Sequence, residues 1–277
     1  TIQGPTSVLP LRIYRPSDQK NLPVLLFFHG GGWVLNFLDI YEPALRKISN
    51  YGDFVIVAVE YQKAPEHPYP AAFNDCYATL QWLVENAEQL SIDRTSIGVG
   101  GDSAGANLAS AVALKAVHDN LISLAFQLLI YPCNDVQMDY QSAIDYAEGY
   151  GLSTKAMKWF WQQYLSKVSD RADPYAVPIT AKSLKGVAPA ILIAAEFDPT
   201  STVASNLDKG HDNGGILMLG NDNINHIQSS MKQQPRHLLK FHAYLAYLFE
   251  LGYDVAIQPS MNVSSNPGFE SFIGVFG

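Results

Sequence analysis

A serine hydroxyl that could act as a nucleophile lies in the stretch Gly101-Asp102-Ser103-Ala104-Gly105, a G-x-S-x-G pattern. Its flanks give the pattern meaning. Residues 96–100 read as a short strand and residues 104–117, rich in alanine, as a helix, so Ser103 falls at a strand-to-helix turn. A turn that sharp strains the serine backbone, and a glycine on either side removes side chains that would collide. The amide of Ala104 then opens a helix and points at any negative charge developing beside the serine. A second stretch, His29-Gly30-Gly31-Gly32-Trp33, directly follows the apolar run 24–28. Three successive glycines let a backbone approach a ligand and turn its N–H groups inward, as the oxyanion of acyl transfer requires. A phosphate cradle is the rival chemistry. It lacks its sequence here: no Gly-Lys-Ser/Thr follows, and Gly98-x-Gly100 has no third glycine of a dinucleotide turn. His29 reads as a hydrogen-bonding residue of the loop rather than a base.

A serine nucleophile needs a base, and the base an orienting acid. After such a turn the chain order is acid, then histidine. Asp198 follows the buried apolar run 190–195 and is the expected acid, preferred over Glu196, which sits two residues closer to the strand. The base must come from His211, His226, His237 or His242. His226 ends the polar stretch Asn221-Asp222-Asn223-Ile224-Asn225-His226 after the short apolar run 216–219, and a loop histidine after a strand suits the role. His237 and His242 fall on a helical stretch, 234–251, and read as surface or packing residues. His226 is therefore the expected base. Trp33 and Asp102 are expected to shape the substrate pocket. No metal site is expected, because Cys76 and Cys133 lie far apart and match no ligand spacing.

These residues need a scaffold, and the chain alternates short apolar runs with helical stretches, the pattern of a parallel sheet flanked by helices. Strands are predicted at 11–14, 24–28, 54–59, 96–100, 124–130 and 190–195, and helices at 71–88 and 104–117. Residues 135–188 break the rhythm. They are rich in Tyr, Trp and Asp, and 154–165 carries helical periodicity through Met157, Trp159, Phe160, Trp161 and Tyr164, so the segment reads as an inserted helical cap. The fold class is α/β, one domain over 1–277.

The 277 residues are 48% hydrophobic and 16% charged, enough for a large core. A net charge of −8 argues against nucleic acid, whose binding needs a basic surface. No apolar run of about 18 residues appears, so no membrane span is expected. Two thiols favour a reduced, cytoplasmic setting without excluding a disulfide. The chain opens on Thr1 with no initiator methionine and is read as beginning inside a longer gene product.

Taken together, these residues resemble the hormone-sensitive-lipase-like esterases of the α/β-hydrolase superfamily. The likeness runs over 11–199 through His29–Trp33 read as HGGGW, YQKAPEHPYPAA at 61–72, GDSAG at 101–105, Ile130-Tyr131-Pro132 and Glu196-Phe197-Asp198-Pro199. The resemblance implies an α/β-hydrolase fold and a cofactor-free carboxylesterase for short- to medium-chain acyl esters. It also implies an oxyanion hole drawn from Gly30, Gly31 and Gly32 with Ala104. A small-molecule ester is the expected partner, and a homodimer is left open. Four departures stand out. Only 28 residues precede His29, so the family's N-terminal lid segment is expected to be either absent from this chain or not included in it; Tyr61-Gln62-Lys63 replaces Tyr-Arg-Leu; Thr200-Ser201-Thr202 replaces the usual Leu-Arg/Cys-Asp. His226 is followed by Ile227-Gln228 rather than Gly-Phe. A rival alignment on Gly268-Phe269 would put Pro267 at the histidine position and needs a long insertion after Asp198. The alternatives are a non-catalytic small-molecule receptor on this fold and a peptidase or amidase using the same groups.

Overall fold

Apolar runs without a polar break belong in a sheet covered on both faces, and the chain puts its runs there. The structure, a computed structural model, describes residues 1–35, 38–194, 197–202 and the backbone of 216–219. A short antiparallel ribbon, β1 (Ile2–Gln3) with β2 (Val8–Leu9), precedes β3 (Leu11–Tyr14). There follow β4 (Leu22–Phe28), α1 (Leu38–Gly52), β5 (Val55–Val59), α2 (Ala71–Glu85), β6 (Ile92–Asp102), α3 (Ala104–His118) and β7 (Phe126–Ile130). Two shorter helices, α4 (Gln141–Asp145) and α5 (Thr154–Tyr164), and two 3-10 turns lead to β8 (Ala190–Ile193) and β9 (Ile216–Leu219). Among the described residues, seven strands form one sheet in the order β3-β5-β4-β6-β7-β8-β9. Only β3 runs antiparallel to its neighbour; every other pairing is parallel.

Side chains alternate across the sheet, and β4 shows both faces at work. Val24, Leu26 and Phe28 join the core under α2 and α3, whereas Leu25 and Phe27 join the core under α1. The strand order reverses at β4, with β5 on one side and β6 on the other. Ligands of open α/β sheets bind at such a reversal, beyond the carboxyl ends of the strands. The register pairs Phe28 of β4 with Gly101 of β6, and Asp102 with Ile130 of β7. The glycine loop and the serine turn therefore leave the sheet side by side.

Element bounds differ from the predicted ones where polar residues enter strands. The sixth strand starts at Ile92 rather than 96, because Ile92 pairs with Leu22 across a register irregularity in β4. The intervening Asp93-Arg94-Thr95 hides the strand from an apolar pattern, and Asp93 accepts hydrogen bonds from Thr95 and Ser96 there. The helix predicted at 71–88 ends at Glu85, with Asn86 closing it on the Trp82 carbonyl. In α5, Ser153 caps the first turn by accepting from the Ala156 amide, and Met157, Trp161 and Tyr164 are its buried face.

Helix α3 crosses β4 so closely that Gly105 has no room for a side chain. A Cβ there would collide with the Phe28 carbonyl oxygen and the His29 backbone. Alanine gains up to about 1 kcal/mol over glycine in a helix interior, but overpacking against rigid backbone costs about 1–3 kcal/mol or more. The clash wins. Gly105→Ala is expected to lower the denaturant midpoint with an unchanged slope; an unshifted or raised midpoint would contradict the close packing.

Candidate active site

Ser103 sits between β6 and α3 with φ 51° and ψ −117°. Positive φ costs a non-glycine residue on the order of 1–3 kcal/mol and persists only where surroundings enforce it. They do so here: the Ser103 amide donates to the Ile130 carbonyl at 2.8 Å, and its carbonyl accepts from the Asn107 amide at 3.1 Å. Its neighbours Asp102 and Ala104 are buried, while Ser103 itself keeps some exposure. Ala104 is the first residue of α3, where the amide has no partner within the helix.

The glycine loop divides its amides between two tasks. Gly30 N–H donates to Asp102 Oδ1 at 2.9 Å and to the Tyr41 hydroxyl at 3.0 Å. Gly31 and Gly32 take φ values of 104° and 60°, a region that favours glycine. Their amides donate to no acceptor among the described residues, whereas the Gly31 carbonyl closes the turn by accepting from Val34 and Leu35 at 3.1 and 2.9 Å. The Gly30 amide is thus taken up by Asp102 and Tyr41, unlike those of Gly31 and Gly32.

Asp102 and Trp33, expected to shape the pocket, are both fully buried. Asp102 instead accepts from Gly30 and, through Oδ2, from the Tyr41 hydroxyl at 2.8 Å. Trp33 stacks on Tyr164 with centroids 4.4 Å apart and 4° between planes, and packs on Trp161 at 4.4 Å. It pins the loop to α5. His29 behaves as a structural residue. Its ring stacks on Tyr61 at 4.3 Å, and Nδ1 lies 2.7 Å from the Gly30 carbonyl. A carbonyl only accepts, so Nδ1 carries the ring proton. Burial lowers its pKa to about 4, so the ring is neutral near pH 7.

Asp198 lies just past β8 on a loop held by its own residues. Its Oδ1 accepts from the Thr200 amide at 2.6 Å and the Thr200 hydroxyl at 2.8 Å; Oδ2 has no partner among the described residues. Burial raises the Asp198 pKa and the two Thr200 donors oppose it. Ser142 of α4 clasps the same loop, donating from Oγ to the Pro199 carbonyl at 2.9 Å and accepting from the Thr202 amide at 3.0 Å. Cys133 connects the two sides of the site. Burial pushes its thiol pKa up, the Ser103 side chain opposes that shift, and the Asp198 charge adds to it. Ser103 and Asp198 thus share a neighbourhood. His226, Glu196 and the other three candidate histidines lie outside the described residues.

Sequence reasoning missed Tyr41, Ser142 and Thr200. Asp198-Pro199-Thr200 carries the one usable signal, an aspartate that accepts from the backbone two residues on. Nothing local marks Tyr41 or Ser142. Among the described residues no three His, Cys, Asp or Glu side chains gather as metal ligands, and no described helix is long and apolar enough to cross a membrane.

Burial raises Asp102 to about 7, against the lowering effect of Tyr41 and Gly30. As pH rises past its usual 3.8, the unfolded carboxyl ionises while the folded one holds its proton until about 7. The unfolded state then binds fewer protons, so this group's stabilisation is complete below 3.8 and lost as pH climbs through 7. Asp102→Asn cannot ionise. Its unfolding free energy relative to wild type is expected to shift in the variant's favour between pH 4 and pH 8, read from denaturation at each pH. A difference that stays flat contradicts the buried, raised carboxyl.

The sequence profile of the alpha/beta hydrolase fold family matches residues 25–211. The chain is 38% identical over 205 residues to the carboxylic ester hydrolase LipN of Mycobacterium tuberculosis, covering 72% of this chain and 54% of that protein. It is 36% identical over 195 residues to an ethyl acetate hydrolase of Pseudomonas putida, covering 69% and 61%. The crystal structure of a thermostable esterase from Pseudomonas putida superposes with a TM-score of 0.74 at 36% identity, over 78% of this chain and 69% of that one. The chain thus spans a little over half, 54–61%, of the length of these two curated relatives.

Proposed function

The chain belongs to the α/β-hydrolase fold family, in its hormone-sensitive-lipase-like group, and on that premise we propose that it is a serine carboxylesterase for esters of short- to medium-chain acids. Ser103 Oγ attacks the ester carbonyl carbon while His226 takes its proton. Asp198, through Oδ2, holds the imidazole in the accepting tautomer and stabilises the imidazolium. The amides of Gly31, Gly32 and Ala104 receive the oxyanion. The tetrahedral intermediate collapses, and the alcohol leaves with the proton from His226. Water, deprotonated by the same histidine, attacks the acyl-Ser103 ester; the acid departs as the acyl–Oγ bond breaks, and His226 returns the proton to Ser103 Oγ. No cofactor enters this sequence. Residues 135–188 form a cap within the same domain.

The observation that carries this reading is the strained Ser103 turn beside a glycine loop whose second and third amides have no described acceptor. A p-nitrophenyl butyrate assay tests it. The expected result is sustained release of p-nitrophenol, with a burst wherever deacylation limits turnover. A protein that binds the ester but releases nothing above the buffer rate is a receptor, and the esterase reading is then wrong. The matched anilide is expected to react far more slowly.

A further inference from the structure

Oxyanion stabilisation works only if its donors are held in place before reaction, because reorganising them would consume the gain. The glycine loop and the serine turn come from different strands, so something must set one against the other. We propose that Tyr41, acting through Asp102, is a positioning residue that locks the oxyanion loop to the nucleophile turn. The inference rests on the esterase reading above.

Three buried groups form a closed triangle. Gly30 N–H is shared between Asp102 Oδ1 at 2.9 Å and the Tyr41 oxygen at 3.0 Å, and the Tyr41 hydroxyl donates to Asp102 Oδ2 at 2.8 Å. Asp102 is fully buried and Tyr41 is 2% exposed. Each vertex adjoins a working group: Gly30 precedes Gly31, and Asp102 precedes Ser103. A Cβ at position 30 would collide with the Asp102 carboxylate, so the loop is seated directly on it. The Tyr41 ring is held separately, against Phe27 at 5.8 Å and His29 at 6.0 Å. The ring therefore stays when the hydroxyl is removed.

The groups around this triangle offer no substitute. His29 follows β4, Tyr61 follows β5, and Tyr131 and Cys133 follow β7. Burial keeps the imidazole neutral and holds both phenols and the thiol protonated. None supplies a positive charge to the carboxylate. Without the Tyr41 hydroxyl, Oδ2 loses its side-chain donor in a place where an unmet polar atom is costly, and the Gly30 peptide loses one of its two acceptors.

Tyr41→Phe is the test, read as a split between kcat and KM and as affinity for a boronic acid that forms a tetrahedral serine adduct. Complete loss of an oxyanion donor costs about 10²–10³ in rate, so mispositioning the loop is expected to lower kcat roughly 10–100-fold. KM for a short ester is expected to stay within about twofold, while boronate affinity falls in step with kcat/KM. Asp102→Asn gives Tyr41 an N–H in place of an oxygen and is expected to show the same split. A purely structural role would lower the melting temperature and leave kcat and boronate affinity near wild type, which overturns the proposal. The proposal is equally overturned if Tyr41→Phe fails to fold while Asp102→Asn keeps full kcat. Failure of the esterase reading looks different, since the wild-type protein itself would then neither turn over ester nor bind boronate.

Discussion

Ser103→Ala is expected to abolish ester hydrolysis, with a loss on the order of 10⁶ in turnover. Alanine keeps the Cβ that already tolerates φ 51°, and the backbone bonds to Ile130 and from Asn107 survive. Stability should therefore change little. What disappears is the one atom that the proposed mechanism acylates. The oxyanion amides remain, so residual catalysis about 10³–10⁴ above water is expected to persist. Single-turnover measurement with an activated butyrate separates these outcomes. Activity close to wild type in a folded Ser103→Ala protein would show that Ser103 is not the nucleophile.

The second large effect belongs to Asp198→Asn. Both Thr200 donors reach Oδ1, which asparagine retains, so the loop that Ser142 clasps should keep its shape. The change falls on the other atom. An N–H replaces Oδ2, and a histidine facing a donor turns to the tautomer that cannot accept the serine proton. The analogous exchange in serine proteases lowers turnover about 10⁴-fold, and a loss of that order is expected here. Glu196→Gln is the control and should leave kcat near wild type. The reverse pattern, with Glu196→Gln inactive and Asp198→Asn active, would reassign the acid.

How far the sequence reaches depends on whether an interaction is local. Ser103 and the glycine loop were legible because glycine spacing and the adjacent apolar runs report backbone shape directly. The parallel sheet followed from β4, β5, β7 and β8, whose residues are almost all apolar. The start of β6 was hidden because Asp93, Arg94 and Thr95 occupy a strand that pairs through only Ile92 at that end. The direction of the Gly30 amide was not legible at all. It is decided by Tyr41, 11 residues on and in a helix, and by Asp102, 72 residues on. Asp102 and Trp33 stand beside chemistry in sequence, yet the close approach of the loop puts both beneath the surface rather than in contact with solvent. Thr200-Ser201-Thr202 read only as a departure from the family; the fold gives Thr200 the task of holding Asp198 and Thr202 a bond to Ser142.

Everything in this mechanism requires that the hydroxyl of residue 103 becomes acylated during turnover. Treatment with a fluorophosphonate, followed by intact-mass analysis and peptide mapping, reads the reactivity of that hydroxyl directly. One adduct per chain is expected, located on Ser103, with ester turnover lost in proportion to labelling. An adduct on another residue, or undiminished turnover in fully labelled protein, would contradict it.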